Sequence, residues 1–278
     1  LARLISQQVL LYTEMVTANA LVFGDRAKLL ACSVLDTPVA IQLGGSDPVV
    51  LQRVAAWCEQ AGYHEINLNV GCPSDRVQSG GIGACLYKTP EVVAQCVKAM
   101  QQAVSIPVTV KTRIGVDEVD DYASLQRFIE TVAASGCSSF SFHARKAWLK
   151  GLSPKQNRTV PALNYARVYQ VKHDYPALEV VINGGVRTHA EVATHLQHVD
   201  GVMIGREAYH NPYWFADADA RYFGGVNSAL GRAEGLAAYW RYATEQACAG
   251  ESPYALTQHA LGLLLGVPGA KQLRNTLC

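Results

Sequence analysis

The chain has 278 residues, 49% of them hydrophobic and 17% charged, with a formal net charge of +1. That composition supplies an ordinary buried core, which excludes disordered and fibrous classes, and the length suits one large domain or a barrel with a small appendage. A charge so near zero gives no global attraction for nucleic acid, so such binding has to come from local patches. The sequence holds no apolar run long enough to span a membrane, and its opening LARLISQQVL lacks the basic region and cleavage site of a signal peptide. Eight cysteines lie scattered without CxxC or CxxH pairs. This argues against a disulfide framework and against a metal site, and for a reducing cytoplasm.

In chain order, a helix-like fragment comes first. Seven apolar, β-branched runs follow: LLYTEMV (10–16), PVAIQLGG (38–45), EINLNVG (65–71), PVTVKTR (107–113), SSFSFHAR (138–145), EVVINGGV (179–186) and GVMIGR (201–206). Amphipathic segments such as 48–62 and 90–104 lie between them, apolar at helical spacing. Alternating strands and helices predict βαβ units and a parallel sheet. Polar residues gather at the C-terminal ends of these runs: Gln42, Asn69, Lys111, His143, Asn183 and Arg206. That polarity predicts a (β/α)₈ TIM barrel, whose site is built from the loops after its strands, over a doubly wound sheet. Seven runs are one short of eight, so the first barrel strand is expected to be missing from this sequence. After about residue 226 the strand pattern gives way to helical stretches at 233–247 and 254–266. The predicted organisation is a barrel over 1–226 and a small helical domain over 227–278, cut short at its end.

The last two runs end in INGGV (182–186) and MIGRE (203–207), each opening onto a helix. Glycines admit close backbone approach and helix N-termini offer free N–H groups, so Asn183, Gly184, Gly185, Gly205 and Arg206 are candidates for a phosphate site. Gln42, Lys111 and His143 end three other strands. A flavin needs donors to its ring carbonyls and a cation where charge develops on reduction, which suits Lys111. In NLNVGCPSDRVQSGGIGACL (67–86), Asn69 and Cys72 leave one strand end, and Pro73 turns the chain there. A free thiol titrates near 8.5, so at neutral pH it is mostly protonated and can serve as an acid. Cys85, in a glycine-rich loop, competes with Cys72 for that role. Cys32, Cys58, Cys96 and Cys137 read as small buried hydrophobes.

Taken in order, N-x-N-x-G-C-P-S, G-A-x-L, P-V-T-V-K-T-R, F-H-A-R, I-N-G-G and M-I-G-R resemble the tRNA-dihydrouridine synthase family over essentially the whole chain. HARKAWLKGLSPKQNR (143–158) and LGLLLGVPGAKQLR (261–274) further resemble the bacterial subgroup acting on U20 and U20a. The resemblance implies an FMN barrel, reduced by NADPH, that forms 5,6-dihydrouridine in tRNA. By motif, Gln42, Lys111, His143, Asn183, Gly184, Gly185, Gly205 and Arg206 would hold FMN. Hydride would pass to C6 of the uracil, and Cys72 rather than Cys85 would protonate C5. Asn69 would orient the base, and Arg113 and Arg145 would line the uracil pocket.

A uracil in folded tRNA has to be extruded, which calls for a basic surface. Arg145, Lys146, Lys150, Lys155 and Arg158 form a run without an acid, with Trp148 among them as a stacking candidate. Lys155 and Arg158, with Lys271 and Arg274 near the end, are the expected tRNA contacts. The resemblance departs at the start, because the family's P-M-x-x-[VW]-T-D strand end does not occur here. Expected partners are tRNA and NADPH, without a membrane, for a monomer. Two other readings compete: an FMN barrel reducing a free pyrimidine, and a tRNA-binding protein with an incomplete flavin site.

Overall fold

The computed structural model describes residues 1–31, 37–225, 230–270 and 272. Strands form at all seven predicted runs: β1 Leu11–Thr17, β2 Val39–Gly44, β3 Glu65–Val70, β4 Val108–Arg113, β5 Ser139–His143, β6 Glu179–Asn183 and β7 Gly201–Met203. They lie side by side in sequence order in one sheet, and each neighbouring pair from β2 to β7 is parallel. Helices return the chain between strands, giving the architecture of a (β/α)₈-type barrel. The seventh run contributes only Gly201–Met203, because Gly205 already caps the helix Arg206–His210.

The two faces of the strands differ in chemistry. Ile41, Leu43, Ile66, Leu68, Val110, Phe140, Phe142, Val180 and Ile182 are wholly buried on one face. The helices meet them with apolar stripes, Leu51, Val54, Ala55 and Cys58 on Pro48–Gln60 and Val93, Cys96, Val97 and Met100 on Pro90–Gln101. The predicted helical spacing is therefore the packing face, and Cys58 and Cys96 are packing residues as expected, with Cys137 buried likewise. The other face alternates with it and carries Glu65, Asn67, Asn69, Thr109, Lys111, Arg113, Ser141 and His143. Parallel strands usually read as continuous apolar runs, and this second, polar face is where the sheet departs from that habit.

Contacts divide the chain into two compact units, Tyr12–Val34 with Val39–Met203, and Leu1–Leu11 with Leu35–Pro38 and Ile204–Cys278. In the second, Ile5 packs with Phe215, Ala218 and Leu263. The buried Asp219 accepts from the Ser6 hydroxyl and from the Gln7 and Gln8 N–H groups. Arg3, also buried, donates to the carbonyls of Ser6, Val9 and Pro38. The helical stretches expected near the end form as Arg232–Cys248 and Pro253–Ala260. The expected domain boundary at 226–227 lies outside the described residues, and this unit takes in residues 1–11 and 204–225 as well. No helix among the described residues is long and apolar enough to cross a membrane.

Candidate active site

The polar face leads upward to the loop after β3. Asn69, 8% exposed at the end of that strand, turns its side-chain oxygen onto the backbone that follows. It accepts from Gly71 N–H at 3.0 Å and from Cys72 N–H at 2.9 Å. From the far side, Ala84 N–H donates to the Cys72 carbonyl at 2.9 Å. The Cys72 backbone is thus held at both ends, while its half-buried thiol has a hydroxyl, Ser74 Oγ, 3.6 Å away. Cys85 sits differently, its thiol donating to the Ile82 carbonyl at 3.2 Å and its pKa pushed up by burial.

Three further side chains brace this loop. Arg113, 5% exposed, donates to the Gly71 carbonyl at 3.1 Å and to the Asn157 carbonyl at 3.0 Å. Gln78 donates to the carbonyls of Pro73 and Leu149. Asn157, fully buried, closes on both the N–H and the carbonyl of Trp148. The loop carrying Cys72 and the basic loop after β5 are therefore one hydrogen-bonded frame, and Arg113 is its central strut. Arg145 spends its guanidinium in part on the carbonyls of Thr159 and Pro161.

Lys111 stands in register with Asn69 and reaches Asn183 Oδ1 at 3.4 Å. Removal from water pushes its ammonium down to about 8, and the Arg113 guanidinium pushes the same way. Such a lysine destabilises the ligand-free protein wherever it is charged. Between pH 8 and the unfolded value of 10.5 the unfolded chain holds a proton the folded one has released, so stability climbs with pH through that window. Lys111→Met is accordingly expected to raise the melting temperature of the ligand-free protein at pH 7, an advantage that shrinks by pH 10. Calorimetry at the two pH values checks it, and equal melting temperatures at pH 7 would refute it.

Past β6, Gly184 and Gly185 take φ of +119° and +77°, a region that L side chains rarely adopt. A Cβ on Gly184 would stand 3.1 Å from the His143 ring, and one on Gly185 2.8 Å from the Tyr165 hydroxyl, which itself donates to the Gly184 carbonyl. The turn thus packs against His143, which ends β5 in register with Asn183. In the other unit, Gly205 caps the short helix that Arg206 begins, with open space where its side chain would be.

The basic loop is less cationic in space than in sequence. Lys146 pairs with Asp120 at 2.8 Å and lies 4.2 Å over one face of the Trp148 ring. Asp117 accepts from Leu149 N–H and pairs with Lys88. Lys150, Lys155 and Arg158 remain exposed. Lys271 and Arg274 lie outside the described residues. Sequence reasoning missed Gln78, Asn157, Asp117, Glu65, Asn67 and Thr109. The last three had a signal, the polar residues alternating along strands 65–69 and 109–113.

A parallel (β/α)₈-type sheet that gathers a braced cysteine, a half-buried lysine and a glycine turn at the C-terminal ends of its strands defines a barrel enzyme acting on a ligand at that edge. The chain belongs to the dihydrouridine synthase family, which it matches over residues 1–278. It is 53% identical to the tRNA-dihydrouridine(20/20a) synthase of Shewanella oneidensis over 99% of its own length and 82% of that protein. The protein of the same name from Yersinia pestis is also 53% identical, with 99% of this chain and 80% of the relative covered. For that of Vibrio cholerae the figures are 52%, 98% and 84%.

Proposed function

We propose that this chain reduces the C5–C6 double bond of uridines 20 and 20a in tRNA, with FMN as its bound cofactor and NADPH as the reductant. The braced Cys72 beside Lys111, in a member of this family, is the observation that carries the reading. The donor set fits a flavin ring. The Gln42 amide gives Asn67 one hydrogen bond, and the Lys111 ammonium gives one to Asn183; by valence both keep N–H groups for ring carbonyls. His143, Asn183, Gly184 and Gly185 line the turn that would take the cofactor's phosphate side, and Gly205 and Arg206 keep the same assignment from their motif.

Bound and reduced, FMN would supply the hydride that adds to C6. The chain's own part is the proton. The Cys72 thiol gives it to C5, and the frame of Asn69, Ala84 and Arg113 keeps the sulfur in place. Working in a reducing cytoplasm agrees with six described cysteines that are all free thiols. Residues 227–278 would serve as the helical tRNA-binding domain. Incubating the purified protein with NADPH and an unmodified tRNA transcript should add two hydrogens to the nuclease fragments carrying positions 20 and 20a. A flavin-loaded protein that leaves them unchanged would defeat the proposal.

The RNA surface has its own test. Replacing Lys155 and Arg158 with Ala should weaken tRNA binding and flatten the log–log salt dependence by roughly one unit for each phosphate no longer neutralised. The Lys271 and Arg274 pair should behave alike, with flavin content unchanged in both. Parental affinity in both double variants would place the RNA elsewhere.

A further inference from the structure

The polar face of the sheet carries a chain of side-chain hydrogen bonds that runs in one direction. Cys72 N–H donates to Asn69 Oδ1 at 2.9 Å, and Asn69 Nδ2 donates to Gln42 Oε1 at 2.7 Å. Gln42 Nε2 donates to Asn67 Oδ1 at 2.9 Å, and Asn67 Nδ2 donates to Thr109 Oγ1 at 2.8 Å. The Thr109 hydroxyl donates to Glu65 Oε1 at 2.6 Å, where Tyr12 also donates at 2.7 Å. Every link passes its donor toward the carboxylate, so no amide along the way can turn over without leaving two donors or two acceptors face to face.

Both ends enforce that direction. At the top, two backbone N–H groups demand an oxygen from Asn69. At the bottom, Glu65 offers only acceptors when ionised, and Thr109 is the single hydroxyl that can both accept from Asn67 and donate to it. Asn67 is fully buried and Thr109 is 4% exposed, so bulk water does not reach them to replace a missing partner. Two of the links, Gln42 and Asn69, are the residues next to the proposed cofactor and the cysteine.

We propose that Thr109 and Glu65 anchor this chain and act as positioning residues for Gln42, Asn69 and the Cys72 loop. The consequence for tRNA reduction rests on the function proposed above, but the geometry can be judged without it. Thr109→Val keeps the shape and removes only the hydroxyl, so Asn67 loses its acceptor and the amides above it lose their fixed sense. Its kcat on tRNA should fall about tenfold, the factor carried by one net hydrogen bond, with KM for tRNA unchanged. The rate at which iodoacetamide alkylates Cys72, followed by mass spectrometry in the protein without tRNA, should change severalfold.

Thr109→Ser restores the hydroxyl and should return both readouts to within about twofold of the parent. Glu65→Gln keeps one oxygen able to accept from both hydroxyls and should do nearly as well. Parental kcat and alkylation in Thr109→Val would overturn the proposal. So would a Thr109→Ser as impaired as Thr109→Val, because packing rather than the hydroxyl would then be at issue. Should Thr109→Val not fold, Glu65→Leu removes the terminal acceptor from a half-buried site and has to give the same pair of changes. A parent that alkylates as expected yet reduces no tRNA would refute the function while leaving this chain standing on the alkylation series.

Discussion

Cys72→Ala is expected to lower single-turnover reduction of tRNA uridine by roughly 10²–10⁴-fold, the usual contribution of a positioned general acid. On the function proposed above, flavin loading and reduction of the flavin by NADPH should be preserved, because the proposed part of the thiol is only the proton to C5. The expectation rests on placement. The Cys72 backbone is fixed by Asn69 on one side and Ala84 on the other, so the sulfur has one defined origin at the end of β3. Removing it leaves the frame intact, since Gly71, Pro73 and the Cys72 main chain make the bracing contacts. Cys85→Ala should stay near the parent. That thiol is turned to the Ile82 carbonyl, and burial pushes its pKa upward. Rapid-mixing measurements that separate flavin reduction from its reoxidation by tRNA decide the matter. Reoxidation abolished in Cys85→Ala and kept in Cys72→Ala would reverse the assignment.

Gly83→Ala should cost nearly as much, although it leaves the thiol itself in place. Gly83 has φ of +79°. An added Cβ would come within 2.6 Å of the Cys72 carbonyl oxygen and 2.5 Å of Val77 Cγ1. The backbone strain alone is worth about 1–3 kcal/mol, and the clash has to be relieved by moving the loop that holds Cys72. A displacement of about 1 Å at a reacting group costs on the order of 100-fold in rate. Gly62→Ala separates the two effects, for Gly62 has φ of +92° with nothing within 4 Å of the added carbon. Both variants should lose melting temperature, and only Gly83→Ala should lose kcat/KM on tRNA. Equal activity in the two would show that the Gly83 contact does not hold Cys72 in place.

Seven strands were legible along the chain because each is a short β-branched run with a turn signal, and their order follows from connections that return the chain by a helix every time. The residues at the strand ends were legible for a related reason. In a parallel barrel all strands finish at one edge, so Gln42, Asn69, Lys111, His143 and Asn183 share that edge whatever the details of packing. Local chemistry set these features, and local chemistry is what a sequence carries.

The partners of those residues are another matter. The resemblance gives Asn69 to the base and Arg113 to the uracil pocket; what the structure adds is that the Asn69 oxygen holds the Cys72 backbone and that Arg113 donates to the carbonyls of Gly71 and Asn157. The Asn69 bonds are local, two and three positions along the chain, whereas those of Arg113 reach across 42 and 44 positions. The basic run 145–158 contains no acid in sequence, but Asp120 stands 2.8 Å from Lys146 because a different loop folds over it. Among the opening residues, Ile5 packs with Phe215 and the Ser6 hydroxyl donates to Asp219, more than two hundred positions away. Sequence alone determined which chemistry would meet at one edge of the sheet. Only tertiary structure decided which group answers which, because a hydrogen bond between distant loops is set by angstrom-scale closure that no local pattern records.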